Sequence, residues 1–173
     1  MKLRAAKLTD APGIAKVHVD SWRTTYKNII SNEFLQKLSY EQRANSWFQN
    51  LSNPNNYVFV VENNEGDIVG FADCGKRTSN QIDESGDITS IYILEEYQGQ
   101  GIGKQLMHQL FIQCHKLGFN RVFVAVLEDN NTRYFYEYYG AKLRKTEKIK
   151  IGGTDLNLLG YEWDCITKAL NMF

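Results

Sequence analysis

The sequence lacks the features that would mark several broad classes of protein. No stretch approaches the roughly 18 consecutive apolar residues of a membrane-spanning helix, and the opening MKLRAAKLTDA has no apolar signal core. No membrane partner is expected, and cytoplasm is the expected location. Lys plus Arg and Asp plus Glu each number 20, so the formal net charge is zero. Nucleic acid and anionic membrane surfaces normally select a basic excess, so nucleic acid is not an expected partner either. Cysteine is scarce: Cys74, Cys114 and Cys165 are odd in number, widely spaced and without a C-x-x-C. That argues against a disulfide framework or a zinc site and for a reduced, intracellular chain. Cys114 falls on the apolar side of a predicted helix, where a thiol behaves as a small core residue rather than a nucleophile. Internal repeats, low-complexity tracts and linkers are also missing. With 173 residues, the chain is expected to form a single domain over 1–173.

What is present is a regular succession of periodic segments. Lys2 to Lys7 reads as a short strand. Thr9 is an expected N-cap, with Asp10 and Pro12 in the first turn of a helix running to about Tyr26. SNEFLQKL is a short helix, and Ser39 with Gln42 has the form of a capping box opening a helix to about Leu51. Tyr57–Glu62 and Ile68–Cys74 flank an Asn-Asn-Glu-Gly turn and read as a hairpin. In DITSIYIL the step from Ile88 to Ile91 breaks strict alternation, which signals a bulge. A helix from about Gly101 to Leu117 carries a stripe of Gly103, Leu106, Met107, Leu110, Cys114 and Leu117 and is capped by Gly118. RVFVAVL is apolar enough for a strand buried on both faces. A short helix closed by Gly140 and a last hairpin around Gly152-Gly153 complete the order. Early antiparallel hairpins followed by a strand–helix–strand crossover imply an α/β chain on a mixed sheet.

The segment EEYQGQGIGKQLM places Gly99, Gly101 and Gly103 directly before that helix, although glycine costs a helix about 1 kcal/mol relative to alanine. A helix start presents unpaired N–H groups and a partial positive charge, and glycine removes the Cβ that would keep an anion away. Gln98 to Lys104 is therefore expected to cradle a pyrophosphate, with Lys104 adding a point charge. The spacing is not that of a dinucleotide fingerprint, since Lys104 stands where the third glycine is needed. Nor is it a P-loop, since Gln98 replaces the first glycine and Gln105 follows Lys104. An ordinary tight turn between strand and helix is the alternative.

The pattern that fits is Q-x-x-G-x-G, from Gln98 through Gly99, Gln100, Gly101 and Ile102 to Gly103. A second block, DNNTRYFYEYYGAK, sets Asn130, Phe135, Tyr136 and Gly140 in the register N-x-x-x-x-F-Y-x-x-x-G. With one helix and one strand between them, the two blocks resemble the GNAT superfamily, the GCN5-related N-acetyltransferases. The motif-grade part spans about Asp87 to Ala141, and HVDSWRTTYKNII is similar to a subgroup of bacterial members. The chain departs from the usual pattern at Glu95 and Glu96, where proline is common, and at Ala141, where Phe is usual.

The resemblance implies a GNAT-like fold, with a mostly antiparallel, centrally splayed sheet flanked by helices. It implies an N-acetyltransferase that moves the acetyl group of acetyl-CoA to a primary amine by direct attack in a ternary complex, with no metal. The pyrophosphate would rest on Gln98 to Lys104. The pantetheine arm would run along Ile91, Tyr92 and Ile93 and meet Asn130, a residue equally suited to capping the next helix. The Ile91 amide would receive the oxyanion. Tyr136 would be the general acid, and Asp87, where many members carry Glu, the base acting through water. Glu84 and Asp83 are weaker base candidates. Trp22, Tyr26 and Trp47 are candidate acceptor walls, although each reads more readily as core. His18 reads as a packing residue, and His108 and His115 as remote from the site. The acceptor is a small-molecule or peptide amine, and family habit suggests a homodimer. Two other readings fit parts of the pattern: a non-catalytic CoA-binding sensor or interaction module, and an ATP-binding enzyme, against which the failed P-loop spacing argues.

Overall fold

The computed structural model describes residues 1–78, 82 and 84–173. The β-branched and aromatic runs form β1 (Lys2–Ala5), β2 (Asn56–Glu62), β3 (Ile68–Lys76), β4 (Ser85–Ile93), β5 (Arg121–Leu127), β6 (Lys142–Ile151) and β7 (Thr154–Trp163). The helices are α1 (Ala11–Thr25), α2 (Asn32–Gln36), α3 (Tyr40–Ser52), α4 (Ile102–Lys116), α5 (Thr132–Tyr138) and α6 (Ile166–Leu170). One mixed sheet takes the strands in the order β1-β2-β3-β4-β5-β7-β6. Its pairs are antiparallel except β4–β5, which α4 connects as a parallel crossover.

Local chemistry sets the boundaries. Ser39 Oγ accepts the Gln42 N–H at 3.2 Å at the start of α3, and Ser31 Oγ accepts the Phe34 N–H at 3.4 Å at the start of α2. The hairpin turn is held by Asn63 Oδ1, which accepts the N–H groups of Glu65 at 3.0 Å and Asp67 at 2.8 Å. Thr9 is not the cap expected for α1. A 3-10 turn over Leu8–Asp10 precedes the helix, and Asp10 accepts the Lys7 N–H at 2.7 Å while Arg4 binds both its oxygens. A carboxylate already fixed by Arg4 is a stronger local acceptor than a hydroxyl, so the chain turns at Asp10 and α1 begins one residue later.

The sheet is covered on both faces. Phe71 and Tyr92 point toward α1 and α3, where they meet His18 and Trp47. The alternate residues point the other way: a Cβ built on Gly70 would lie 3.5 Å from Ile102 of α4, and Trp163 of β7 packs edge-on against Phe111 of α4 at 5.0 Å. The main core fills both layers, and a smaller apolar cluster of Tyr26, Ile30, Leu35, Leu127 and Leu156 joins the end of α1 to β5 and β7. Strand β6 forms the outer edge, largely exposed, and carries Lys142, Arg144, Lys145, Lys148 and Lys150. Among the described residues no helix is long and apolar enough to cross a membrane.

Two irregularities meet in the middle. Asp73 pairs with Ser90 but Cys74 pairs with Ile88, so Thr89 is the extra residue of a bulge in β4. On its other edge β4 pairs with β5 only from Ser85–Arg121 to Ile88–Val124. Beyond that rung the two strands part, and the edge of β4 from Thr89 to Ile93 has no strand partner.

Candidate active site

The parting of β4 and β5 opens a cavity of about 400 Å³. Thr89 to Ile93 form one wall and Val124, Ala125 and Val126 the other. The turn from Gln98 to Lys104 closes one end, and Asn130, Phe135 and Tyr136 stand at the start of α5.

The glycine turn has the properties of an anion cradle. Gly99 and Gly101 adopt φ of +72° and +80°, which residues with a Cβ rarely occupy, and a Cβ on either would meet nothing within 4 Å. These glycines are therefore required by backbone conformation and not by close packing. A Cβ on Gly103 would make only ordinary contacts with Ile93 and Phe135 at 3.6 Å. The amides of Gly99, Gln100, Gly101, Ile102, Gly103 and Lys104 donate no hydrogen bond to any described residue; the next, Gln105, is bound to the Gly101 carbonyl at 3.1 Å. Unpaired donors at the start of a 15-residue helix make a positive nest. Gln98 fastens the turn to the strand, its Nε2 donating to the Ile93 carbonyl at 3.1 Å, while Gln100 Nε2 donates to the Glu96 carbonyl at 3.1 Å and Gln100 stays outside the cavity lining.

Asn130 is buried, and its Oδ1 accepts the Thr132 N–H at 2.9 Å, so the expected capping contact is made. Its side-chain nitrogen has no acceptor among the described residues. Tyr136 is 5% exposed yet lines the cavity, and its hydroxyl makes no hydrogen bond to any described residue. Burial pushes its phenol well above the ordinary tyrosine range, with Tyr26 adding to the effect. Tyr26 lines the same cavity, and its hydroxyl lies 3.3 Å from that of Tyr92. Tyr92 turns its ring toward α1 and stacks on His18 at 5.1 Å, and with Ile91 and Ile93 it borders the gap.

Asp87 lies on the other face of the sheet from Tyr136. It lines a second hollow of about 380 Å³ with Arg77, Phe123, Lys145, Glu147 and Gly160. The two hollows share Thr89, Val124 and Ala125, the residues at which β4 and β5 separate. Asp87 is ion-paired with Arg77, whose guanidinium lies 4.1 Å above the Phe123 ring. Burial raises the Asp87 carboxyl above its ordinary value, while Arg77 acts in the opposite direction.

Other expected positions fall elsewhere. Trp47 does not reach either hollow; it is buried in the core, where its Nε1 donates to His18 Nδ1 at 3.0 Å. That bond and burial hold His18 neutral, its basicity pushed down to about 3 by burial first and Arg43 second. Trp22 packs edge-on to Tyr26 at 4.8 Å, behind the cavity wall, with its Nε1 buried and unpartnered. His108 stacks on Phe173 at 5.1 Å, and neither it nor His115 borders the site. Glu84 lines neither hollow, and Asp83 lies outside the described residues. Among the described residues no three His, Cys, Asp or Glu side chains are gathered to hold a metal ion.

Two residues at the site carry no sequence signal. Arg77 sits in a polar stretch that reads as loop, yet it is the cation beside Asp87. Asp73 is a carboxyl in an apolar strand, 3% exposed, with Oδ1 lacking a partner. Burial raises it to about 7, and Ser90 opposite acts against that shift. Period-2 alternation could have marked Asp73 as inward-facing, but nothing in it tells a buried acid from a turn residue.

A model of the acetyltransferase (GNAT) family matches residues 17–141. The uncharacterized N-acetyltransferase YuaI of Bacillus subtilis is 39% identical over 163 residues, covering 93% of this chain and 91% of that protein. An L-methionine sulfoximine/L-methionine sulfone acetyltransferase of Pseudomonas aeruginosa is 26% identical over 129 residues, 75% of this chain and 72% of its own. In three dimensions, the PaiA N-acetyltransferase of Thermoplasma acidophilum, solved in complex with coenzyme A, superposes with a TM-score of 0.72 at 22% identity, over 94% of this chain and 98% of that one.

Proposed function

This chain belongs to the GNAT acetyltransferase family, and from that premise we propose that it transfers the acetyl group of acetyl-CoA to a primary amine within a ternary complex. The observation that carries the reading is the run of unpaired amides from Gly99 to Lys104 at the mouth of the β4–β5 gap. The coenzyme A in the Thermoplasma structure is consistent with it.

Acetyl-CoA supplies a thioester carbonyl that the amine attacks, with the C–N bond forming, the C–S bond breaking and the sulfur leaving as a thiolate. The chain's residues do the rest. The Gln98–Lys104 turn and Lys104 bind the diphosphate, and the unpaired edge of β4 from Thr89 to Ile93 offers main-chain groups to an extended arm. The Asn130 side-chain nitrogen, without an acceptor of its own, is a further donor to that arm. The Ile91 amide, just past the bulge, is the oxyanion donor; such a group is worth about 2.7–4 kcal/mol in a preorganised site. Tyr136, kept protonated by burial, donates to the departing sulfur.

The amine enters from the second hollow. An amine of ordinary pKa about 10.4 arrives protonated, and Asp87 takes the proton through water. Among the described residues no Cys or Ser–His pair borders the gap, and the direct attack needs no acyl-enzyme. The sensor reading would leave the Tyr136 hydroxyl without a task.

The test is direct. Acetyl-CoA should raise the melting temperature in the way a ligand of the native state does, and ATP should not. Thiol release from acetyl-CoA should then depend on an added amine. Binding without amine-dependent release would favour the sensor; a shift with ATP alone would overturn the cradle.

A further inference from the structure

We propose that the second hollow selects an α-amino acid as acceptor, with Arg77 and Lys145 receiving its carboxylate while Asp87 faces its amine. This rests on the acetyl-transfer reading and narrows it to one substrate class.

The first support is the Arg77–Asp87 pair itself. It sets one positive and one negative charge side by side at the wall of the hollow. An α-amino acid carries an ammonium and a carboxylate two bonds apart and can lie against such a pair with every charge opposed. A polyamine fits less well, because its second cation would have to take Glu147 from Lys145 and leave two cations unopposed, and a mono-amine without a carboxylate leaves the guanidinium unused.

Donor capacity is the second support. Arg77 uses Nη1 on Asp87 and rests flat on Phe123 at 4.1 Å. Its Nη2 meets no acceptor among the described residues, while its Nε, also unpaired, is buried away from the hollow. A guanidinium with a free Nη2 can donate to a carboxylate oxygen. Lys145 is committed only to Glu147, in a solvated pair at 2.6 Å that a ligand can displace.

Third, the wall is balanced and already paired. Glu162 nearby is buried and shared by Arg121 and Arg144, and the wall itself sets Arg77 and Lys145 against Asp87 and Glu147. A ligand that carries one charge of each sign keeps that balance, whereas a polycation upsets it.

The floor suits a side chain. Ala125 lies directly across the β5–β7 ladder from Gly160, a small pair that leaves a dip between Phe123 and Leu158. An amine held at the Thr89–Val124–Ala125 gap would place an amino-acid side chain over this apolar strip.

The experiment uses the full chain with saturating acetyl-CoA and follows thiol release. The acceptors are L-phenylalanine, L-leucine and L-methionine, each beside its α-carboxamide, together with spermidine. The acids should exceed their amides in kcat/KM by about tenfold or more, since an unmet charge site penalises the substrate that lacks the group. Arg77→Gln and Lys145→Gln should each lower that acid-to-amide ratio, chiefly through KM for the acids. The ratio cancels any common effect of Arg77 on Asp87, and Lys145 is exposed enough for its loss to leave folding intact. Preference for the amides, which stand in for peptide N-termini, or for spermidine would overturn the proposal, as would a ratio unchanged in both variants. If acetyl-CoA binds but no amino acid is acetylated, the acceptor assignment fails alone; if acetyl-CoA does not bind, the transfer reading fails and takes this proposal with it.

Discussion

Asp73 lies directly across the β3–β4 ladder from Ser90, one residue past the bulged Thr89, and its carboxyl is buried against the wall of the cavity that Ser90 lines. A carboxyl raised from 3.8 to about 7 keeps its proton in the fold after the unfolded chain has lost it. The stabilisation is complete below about pH 4 and disappears as pH rises through about 7. Asp73→Asn should therefore flatten the pH dependence of stability and be more stable than the parent at pH 8. Urea unfolding at pH 5 and pH 8 measures this, and an Asn variant that loses stability equally at both would show that the carboxyl is not the cause.

Tyr136→Phe removes a hydroxyl that makes no hydrogen bond to any described residue, so the fold and acetyl-CoA binding should persist. Turnover should fall by about 10²–10⁴ if the phenol is the proton donor. Comparing kcat with the acetyl-CoA dissociation constant separates the two effects, and an undiminished kcat would remove Tyr136 from the mechanism.

Gly101→Val forces a β-branched residue to a φ of +80° in open space. The cost falls on the backbone of the turn and not on packing, about 1–3 kcal/mol. The variant should fold but lose the thermal shift induced by acetyl-CoA. A retained shift would mean that the turn does not hold the ligand.

Asp87 should set the acid limb of the rate profile. A base works when ionised, and burial places its titration above the usual carboxylate value of 3.8, so activity should fade with acidification at a higher pH than an exposed aspartate would allow. Asp87→Asn should lower kcat and abolish that limb; a profile that keeps the limb would assign it to another group.

Trp47→Phe should act on stability alone. It leaves His18 Nδ1 as a buried acceptor without its donor, a loss of about 1–3 kcal/mol. Chemical denaturation should record the loss, with kcat for the folded fraction unchanged.

Much of this was legible because the relevant signals are local. The unpaired amides follow from glycines at a helix start, the bulge from the broken alternation between Ile88 and Ile91, and Tyr136 from its register with Asn130 and Gly140. What escaped depends on partners distant in sequence. Trp22, Tyr26 and Trp47 all read as bulky aromatics on helices, yet of the three only Tyr26, just past the end of α1, reaches the cavity, while Trp47 is held inward on His18. Arg77 gains its place only when β3 pairs with β4 and sets it beside Asp87. Thr9 does not cap α1 because a 3-10 turn precedes the helix, in which Asp10, held by Arg4 from across the turn, accepts the Lys7 N–H and makes no side-chain cap bond to α1. Helix α6 is a single short stretch after β7 with no periodicity to announce it.

Strands β4 and β5 stop pairing at Ile88 and Val124, so the sheet is left unfinished at the proposed donor site. An arm lying between the strands would mend that seam, and the empty and filled forms should then differ in backbone order as well as in affinity. Amide exchange along β4 and β5 would slow on filling, and the seam would make the proposed donor a temporary structural member of the protein.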